Sequence, residues 1–298
     1  MGRDLMSNHL HDLIRPEPTA LPVPGLTRPV TLLQLTDSHL CHADERESAH
    51  TRQAALDRVR CFSRYPGAGT EDIFEEHLRY TAECAADLLV LTGDILDFPS
   101  QQNIEELDRL LNRSGSLEYL FVTGNHDHDR FSIIGSLQAG QWDRSILSPF
   151  MGIDGHEQRD LAGATLIGID NTDYQVTDAQ LAALRDALAQ KKPCILFLHI
   201  PLYEPTLEGP LMRVWKSPIV MGIPDRLYAE RPGVIPAPRP TGLTREFCRL
   251  CGEAANLLAV FSGHLHFSHC GPLASGNPQY VTAPGFEGGC RVISLTPA

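Results

Sequence analysis

Short apolar runs recur along the chain, and a polar segment follows each of them. Five runs rich in Val, Ile, Leu and Phe are flanked by charged or turn residues, at 30–35, 88–91, 120–122, 194–198 and 257–261. Runs of this length and composition are typical of strands buried on both faces of a sheet. We therefore expect these segments to form the inner strands of the fold.

The segments between these runs show helical spacing. Residues 71–86 place apolar side chains on one helical face, which predicts a helix packed on the sheet. A further helix is expected at about 47–62. Thr177 with Gln180 forms a capping-box pattern that opens a helix to about residue 190, and Thr244 is the expected N-cap of another that runs to about residue 255. Alternating strands and helices indicate a layered α/β architecture.

The polar segments after the apolar runs carry Asp, Asn and His, which bind divalent cations. They are Asp37-Ser38-His39, Gly93-Asp94-Ile95-Leu96-Asp97, Gly124-Asn125-His126-Asp127, His199 and Gly263-His264-Leu265-His266. Open α/β sheets bind ligands outside the carboxyl ends of their strands. Two adjacent cations require mixed imidazole and carboxylate ligands, one carboxylate being shared. The pattern predicts a dinuclear metal site, with glycines before Asp94, Asn125 and His264 to allow sharp turns.

Each segment also has a simpler interpretation when it is taken alone. An isolated Asp-x-His or Gly-Asp after a strand is more often a capped turn than a ligand pair. A single histidine after an apolar run, such as His199, is more often a core or edge residue. Five such segments in this order favour the metal site over five unrelated turns.

The five segments resemble the blocks of the calcineurin-like metallophosphoesterase superfamily, which read D-x-H, G-D-x-x-D, G-N-H-[DE], H and G-H-x-H. The resemblance covers about residues 30–297. It implies a four-layer α/β/β/α sandwich of two mixed sheets flanked by helices, with the metals at the carboxyl ends of the strands.

The resemblance also implies a role for each residue of the five blocks. The first metal is held by Asp37, His39, Asp94 and His266, and the second by Asp94, Asn125, His199 and His264, so that Asp94 bridges the two. His126 corresponds to the histidine that faces the substrate, and Asp97 to the carboxylate that orients it.

The reaction implied by this site is metal-dependent hydrolysis of a phosphate ester. A hydroxide that bridges the two cations attacks phosphorus in line with the leaving oxygen. His126 stabilises the developing charge or protonates the leaving group, and Asp97 fixes its ring. The donor set suits Mn²⁺ or an Fe/Mn pair, and Zn²⁺ or Co²⁺ are also compatible with it.

Composition limits the partners that we expect. The 298-residue chain has a formal net charge of −12 and no Lys/Arg-rich stretch, which argues against a nucleic-acid binder. Small phosphate esters remain compatible, because the metals supply positive charge. No segment reaches the roughly 18 apolar residues of a membrane span. Eight cysteines without framework spacing indicate reduced thiols and a cytoplasmic protein.

Two proline-rich segments flank or interrupt the expected domain of residues 30–298. Residues 1–29 are expected to be an extended arm that lies either on this domain or on a neighbouring subunit, which makes a homodimer plausible. An inserted loop or cap at about 201–243 is too rich in proline for regular helix or central strand. We expect it to lie over or beside the metals. Its candidate substrate contacts, which could equally be surface or packing residues, are Arg213, Trp215, Arg226 and Tyr228.

The substrate class is left open by these motifs. Phe98-Pro99 stands where Ser/Thr protein phosphatases continue with Arg-Gly, and the segment 33–40 is most similar to the bacterial cyclic-nucleotide-phosphodiesterase-like branch. The leading hypothesis is a phosphodiesterase acting on a small nucleotide-like diester. The alternatives are a phosphomonoesterase or pyrophosphohydrolase on the same site, and a non-catalytic scaffold that keeps the fold.

Overall fold

Two mixed sheets form the centre of the computed structural model, which describes residues 10–113, 117–129, 147–230 and 236–298. The first sheet has the strand order β1-β11-β2-β3-β4 and the second β5-β6-β7-β8-β10-β9. The strands are β1 (Arg15–Val23), β2 (Val30–Leu35), β3 (Leu88–Thr92), β4 (Tyr119–Val122), β5 (His156–Leu161), β6 (Ala164–Ile169), β7 (Cys194–Phe197), β8 (Leu257–Ser262), β9 (His269–Pro272), β10 (Pro278–Val281) and β11 (Gly289–Pro297). All five apolar runs therefore form strands, as predicted.

The described helices are α1 (Ala49–Phe62), α2 (Thr70–Glu83), α3 (Gln101–Arg113), α4 (Asp178–Ala189), α5 (Glu208–Val214), α6 (Asp225–Glu230) and α7 (Gly242–Glu253). The capping box of α4 is confirmed, since Thr177 N donates to Gln180 Oε1 at 2.8 Å and Gln180 N to Thr177 Oγ1 at 3.3 Å. The prediction that Thr244 caps α7 was wrong. Thr241 is the cap and accepts from Thr244 N at 3.2 Å.

Alternate residues of the central strands face different layers. In β2, Leu32 packs between the two sheets, whereas Leu33 and Leu35 pack against helices α2 and α3. In the second sheet, Phe197 points between the sheets and the neighbouring Leu196 toward α4 and α7. Side chains at successive strand positions point to opposite faces, so fully apolar strands join two cores. The predicted four-layer α/β/β/α sandwich is confirmed.

The described part of the N-terminal stretch lies on this domain rather than apart from it. Strand β1 pairs in parallel with β11 and forms the edge of the first sheet. Arg15 N donates to Gly288 O at 2.7 Å. The backbone N–H and C=O groups of odd-numbered residues therefore point toward β11, and those of even-numbered residues point toward the open edge. The strand's prolines all stand at even positions, 16, 18 and 22. Their missing N–H groups therefore cost no ladder bond and deprive the open edge of donors for a further strand.

The insert at 201–243 departs in part from the prediction. Two short helices, α5 and α6, form within it despite its prolines. Pro210 stands in the first turn of α5 and Pro224 directly precedes α6, where a missing N–H leaves no helical hydrogen bond unmade. Residues 231–235 of the insert and 1–9 of the arm lie outside the described residues.

The apolar side chains of the insert belong to the core of the second sheet. Leu207, Leu211, Met221 and Leu227 are all buried there. The insert is thus largely part of the outer layer. Among the described residues, no helix is both long and apolar enough to cross a membrane.

Candidate metal centre

The five polar segments meet at one edge of the sandwich. Strands β2, β3 and β4 run parallel to one another in the first sheet, as do β6, β7 and β8 in the second. Their carboxyl ends lie at the same edge of each sheet, where open α/β sheets hold ligands. The Asp127 carboxylate, which the sequence left without a role, joins two of the segments: its oxygens accept from the N–H groups of Asp94, Leu96 and Gly124 at 2.7–2.8 Å.

The backbone at this edge is unusual for residues that carry side chains. Five of the predicted ligands have φ between 49° and 70°, in the left-handed region: Asp37, His39, Asp94, His264 and His266. Such conformations cost about 1–3 kcal/mol each and concentrate at functional sites. The surrounding structure therefore stabilises a loop geometry that aims these side chains at common points.

The glycines before the ligands permit the close approach predicted for them. A Cβ on Gly124 would lie 2.2 Å from Asp94 Oδ1, and one on Gly93 would lie 2.5 Å from His199 Nδ1. A Cβ on Gly263 would lie 2.5 Å from Asp37 Oδ2. These separations are too short for any side chain, so the ligands can converge only because the glycines leave the space.

One cluster consists of Asp37, His39 and His266, whose potential ligand atoms lie within 4.8 Å of one another. His39 Nδ1 lies 2.9 Å from Asp97 Oδ1, so it carries the ring proton. Burial and the neighbouring His126 lower the pKa of His39 to about 4, which leaves its Nε2 without a proton. That Nε2 lies 3.3 Å from His266 Nε2.

A second cluster consists of Asp94, His199 and His264, again within 4.8 Å. His199 Nδ1 donates to Thr92 O at 2.8 Å, which turns Nε2 toward Asp94 Oδ2 at 3.1 Å. Burial alone would lower the pKa of His199, but Asp94 raises it to about 9. A cation bound here would take the place of that proton.

The side chains of both clusters fit divalent cations. Asn125 Oδ1 is buried and has no hydrogen-bond partner among the described residues. Asp37 Oδ1 and His199 Nε2 are also buried and make no well-aligned hydrogen bond there, although His266 Nε2 lies 3.3 Å from the first and Asp94 Oδ2 lies 3.1 Å from the second. Unsatisfied buried polar atoms are rare and costly in proteins. Asp37 and His199 lie in the two clusters, and Asp94 also belongs to a third group with His39 and His126. The structure thus brings six of the seven predicted ligands into these groups, and Asn125 directly precedes His126, whose N–H donates to Asp94 Oδ1 at 2.8 Å.

His126 and Asp97 lie beside the clusters and contact each other. His126 Nδ1 is 2.8 Å from Asp97 Oδ1. Burial alone would lower the pKa of His126, but the carboxylates of Asp94 and Asp97 raise it to about 9. The side chain of His126 is 16% exposed, whereas that of Asp97 is fully buried, so the imidazole can reach a bound molecule and the carboxylate cannot.

Two residues at the site were missed in the sequence. Arg58 of α1 forms an ion pair with Asp97, with Nε 2.6 Å from Oδ2. The Tyr174 hydroxyl lies 3.0 Å from His264 Nε2 and so contacts one of the predicted ligands. Tyr174 follows β6, whose parallel neighbour β7 precedes His199. A search for polar residues after every apolar strand would have identified it. Nothing in the local sequence marks Arg58.

Of the four candidate substrate contacts, Trp215 is brought to the centre. Its Nε1–H donates to Leu265 O at 2.9 Å, and its ring lies edge-on to His266 with centroids 5.6 Å apart. Arg226 is bound instead by Glu208 and Tyr203, and the Tyr228 hydroxyl donates to Pro238 O. Arg213 is exposed and makes no described contact with the clusters.

Replacing Gly124 with alanine should disrupt metal binding. The added Cβ would lie 2.2 Å from Asp94 Oδ1 and 2.4 Å from Asp94 N, so the shared carboxylate must move. We expect metal affinity to fall on the order of 10–100-fold, as when ligand orientation is lost. Metal content after equilibration with a competing chelator measures this.

The matched control for that variant is Gly242→Ala. No atom lies within 4 Å of a Cβ at Gly242, so this variant should keep wild-type metal content. Gly124→Ala with unchanged metal content would contradict the role given to the glycine.

Comparison with known proteins gives a family and a fold. Curated protein sequences give no significant match. A dimetal phosphatase from Danio rerio superimposes with a TM-score of 0.50 at 14% identity, over 87% of this chain and 88% of that one. A purple acid phosphatase from yellow lupin, Lupinus luteus, gives 0.52 at 13% identity, over 90% of this chain but 46% of its own. At these identities the likeness concerns the fold.

The family evidence comes from the sequence itself. The family model described as calcineurin-like phosphoesterase matches residues 30–268, a range that contains the ligands of both clusters together with His126 and Asp97. The chain belongs to the calcineurin-like phosphoesterase family.

Proposed function

We propose that this phosphoesterase is a phosphodiesterase that hydrolyses a small nucleotide-like diester. The observation that carries the proposal is the balance of charge around the clusters. A monoester dianion carries one more negative charge than a diester and would draw on cationic side chains beyond the metals and a protonated His126. Arg58 reaches the site, but the Asp97 carboxylate binds it, and Arg226 is paired with Glu208. This distribution favours the diester.

The residues of the two clusters would hold two divalent cations. Such a pair supplies positive charge to the phosphate oxygens and lowers the pKa of a bound water. Four imidazoles, two carboxylates and one amide oxygen form the donor set, which suits Mn²⁺ or an Fe/Mn pair and is compatible with Zn²⁺ or Co²⁺.

His126 would act on the substrate directly. Its Nδ1 is held by Asp97, which leaves Nε2 as the atom available to the phosphoryl group or the leaving oxygen. A protonated imidazole at that position stabilises charge on phosphate oxygens and donates a proton to the departing alkoxide. Asp97, fully buried behind it, fixes the ring orientation.

Trp215 would contact the substituent of the ester. Its side chain is 39% exposed, although it is anchored through Leu265 and lies against the predicted ligand His266. An anchored, partly exposed indole is a stacking surface for a base or another aromatic group. This position beside the first cluster supports a nucleotide-like substrate.

Hydrolysis of bis-p-nitrophenyl phosphate and p-nitrophenyl phosphate tests the proposed activity. We expect faster cleavage of the diester, loss of activity with chelator and recovery with Mn²⁺, because the cations activate the nucleophile. His126→Ala should lower kcat on the order of 100–10,000-fold, the usual contribution of a general acid, while metal content stays close to that of the wild type.

The control for His126→Ala is His50→Ala, which alters an exposed histidine of α1 and should retain wild-type rates. Preference for the monoester would replace the phosphodiesterase by a phosphomonoesterase on the same site. Protein that holds two metals but cleaves neither ester would contradict hydrolysis of simple esters.

Replacing Trp215 tests the contact with the substituent. Trp215→Ala should raise KM for the aromatic diester about 5–150-fold, since stacking on an aromatic side chain contributes roughly 1–3 kcal/mol. The kcat and metal content should change little, and Trp215→Phe should keep most of the affinity. The neighbouring Val214 is 56% exposed, so Val214→Ala is the control, and an equal KM effect from both variants would argue against stacking.

A further inference from the structure

Asp97 contacts His39 as well as its predicted partner, His126. Its Oδ1 lies 2.9 Å from His39 Nδ1 and 2.8 Å from His126 Nδ1. Both imidazoles must carry their proton on Nδ1 to make these contacts, because an ionised carboxylate only accepts hydrogen bonds. One carboxylate oxygen therefore sets the tautomer of a predicted metal ligand and of the predicted substrate-facing histidine.

Arg58 also binds this carboxylate, at both of its oxygens. Its Nε donates to Asp97 Oδ2 at 2.6 Å and its Nη2 to Oδ1 at 2.7 Å. Such two-point binding fixes the plane of the carboxylate as well as its position. Burial alone would raise the pKa of Asp97, but Arg58 and the two imidazoles hold it well below its usual range. The carboxylate thus stays ionised and able to accept from both rings.

A second contact, with Phe62 of the same helix α1, also holds Arg58 at the site. The guanidinium of Arg58 lies 4.8 Å from the centroid of the Phe62 ring, one helical turn further along. The Phe62 ring in turn stacks on His39, with centroids 4.1 Å apart and planes inclined by 6°. Arginine is suited to simultaneous stacking and bidentate binding, and lysine is not.

We propose that Arg58 is a positioning residue for the hydrolysis. By fixing the Asp97 carboxylate, it holds the His39 ring in the orientation that binds the metal and the His126 ring in the orientation that contacts the substrate. The segment between the first two sequence blocks is therefore part of the active site. This role rests on the proposed function for its effect on turnover, but the geometry of the two imidazoles can be measured without turnover.

The kinetic test compares Arg58→Ala, Arg58→Lys and Arg60→Ala in the full-length protein. Arg60 lies on the same helix with its side chain 76% exposed, and its ion pair within the described part of the chain is a local one with Asp57, which makes it the matched control. We expect Arg58→Ala to lower kcat for bis-p-nitrophenyl phosphate on the order of 10–100-fold with little change in KM. Arg58→Lys should recover little, because lysine cannot bind both oxygens. Added methylguanidinium should raise the rate of Arg58→Ala but not that of the wild type.

A second measurement uses the protein loaded with Zn²⁺, which is diamagnetic, and requires no activity. Proton–nitrogen correlation spectra of the histidine rings should show the Nδ1–H groups of His39 and His126 shifted downfield by their bonds to Asp97. Both signals should shift or broaden in Arg58→Ala and stay unchanged in Arg60→Ala. If Arg58→Ala does not fold, Arg58→Lys provides the same comparison.

The outcomes separate this proposal from the proposed function. If the wild type cleaves neither ester, the proposed function fails, whereas the spectra still test the role of Arg58. If the wild type is active and Arg58→Ala keeps its kcat within about twofold, the effect expected for a positioning residue is absent. Unchanged Nδ1–H signals in Arg58→Ala would likewise overturn the proposal.

Discussion

Convergence of buried ligand atoms at one edge of the sandwich is the constraint on which the rest of the site depends. His266 Nε2 lies 3.3 Å from both His39 Nε2 and Asp37 Oδ1, and the latter two atoms belong to fully buried side chains. Nitrogen and oxygen atoms packed this closely away from water lose their hydration. Divalent cations bound among them would offset that loss, which couples metal binding to the local fold.

The scaffold meets this constraint with features that would be unfavourable elsewhere. Predicted ligands such as Asp94 and His264 adopt left-handed backbone conformations, and glycines such as Gly124 approach ligand atoms closely. Each sheet packs on one face against the other sheet and on the other face against helices, and this packing supplies the rigidity that holds these loops. Strands buried on both faces can carry strained turns at their ends, because relaxing the turns would disturb closely packed side chains on both sides of the sheet.

Much of the fold and of the cluster could be predicted because local sequence determines both. An apolar run followed by Asp, Asn or His marks a strand and its ligand together, and the five runs became strands within a residue or two of their predicted bounds. Contacts between distant segments could not be read in this way. Arg58 reaches Asp97 from 39 residues away on an inserted helix, and only the fold brings them together.

The features that the sequence did not reveal have equally specific causes. The prolines of β1 argued against a strand, although proline is tolerated at an edge where the missing N–H points away from the sheet. Prolines 16, 18 and 22 all stand at even positions, and this shows that they point away from the sheet only once the partner strand is known. The prolines of the insert concealed short helices, because Pro224 precedes its helix instead of interrupting it. Thr244 resembles an N-cap, but Thr241 takes that position and bonds to it.

The central claim, that the two clusters form one dinuclear metal centre, is tested most directly by anomalous diffraction from crystals equilibrated with Mn²⁺. Two anomalous peaks are expected roughly 3.5–4 Å apart, as in other two-metal sites. One should lie among Asp37, His39 and His266, and the other among Asn125, His199 and His264, with Asp94 contacting both. A single peak, or peaks away from these residues, would contradict the account.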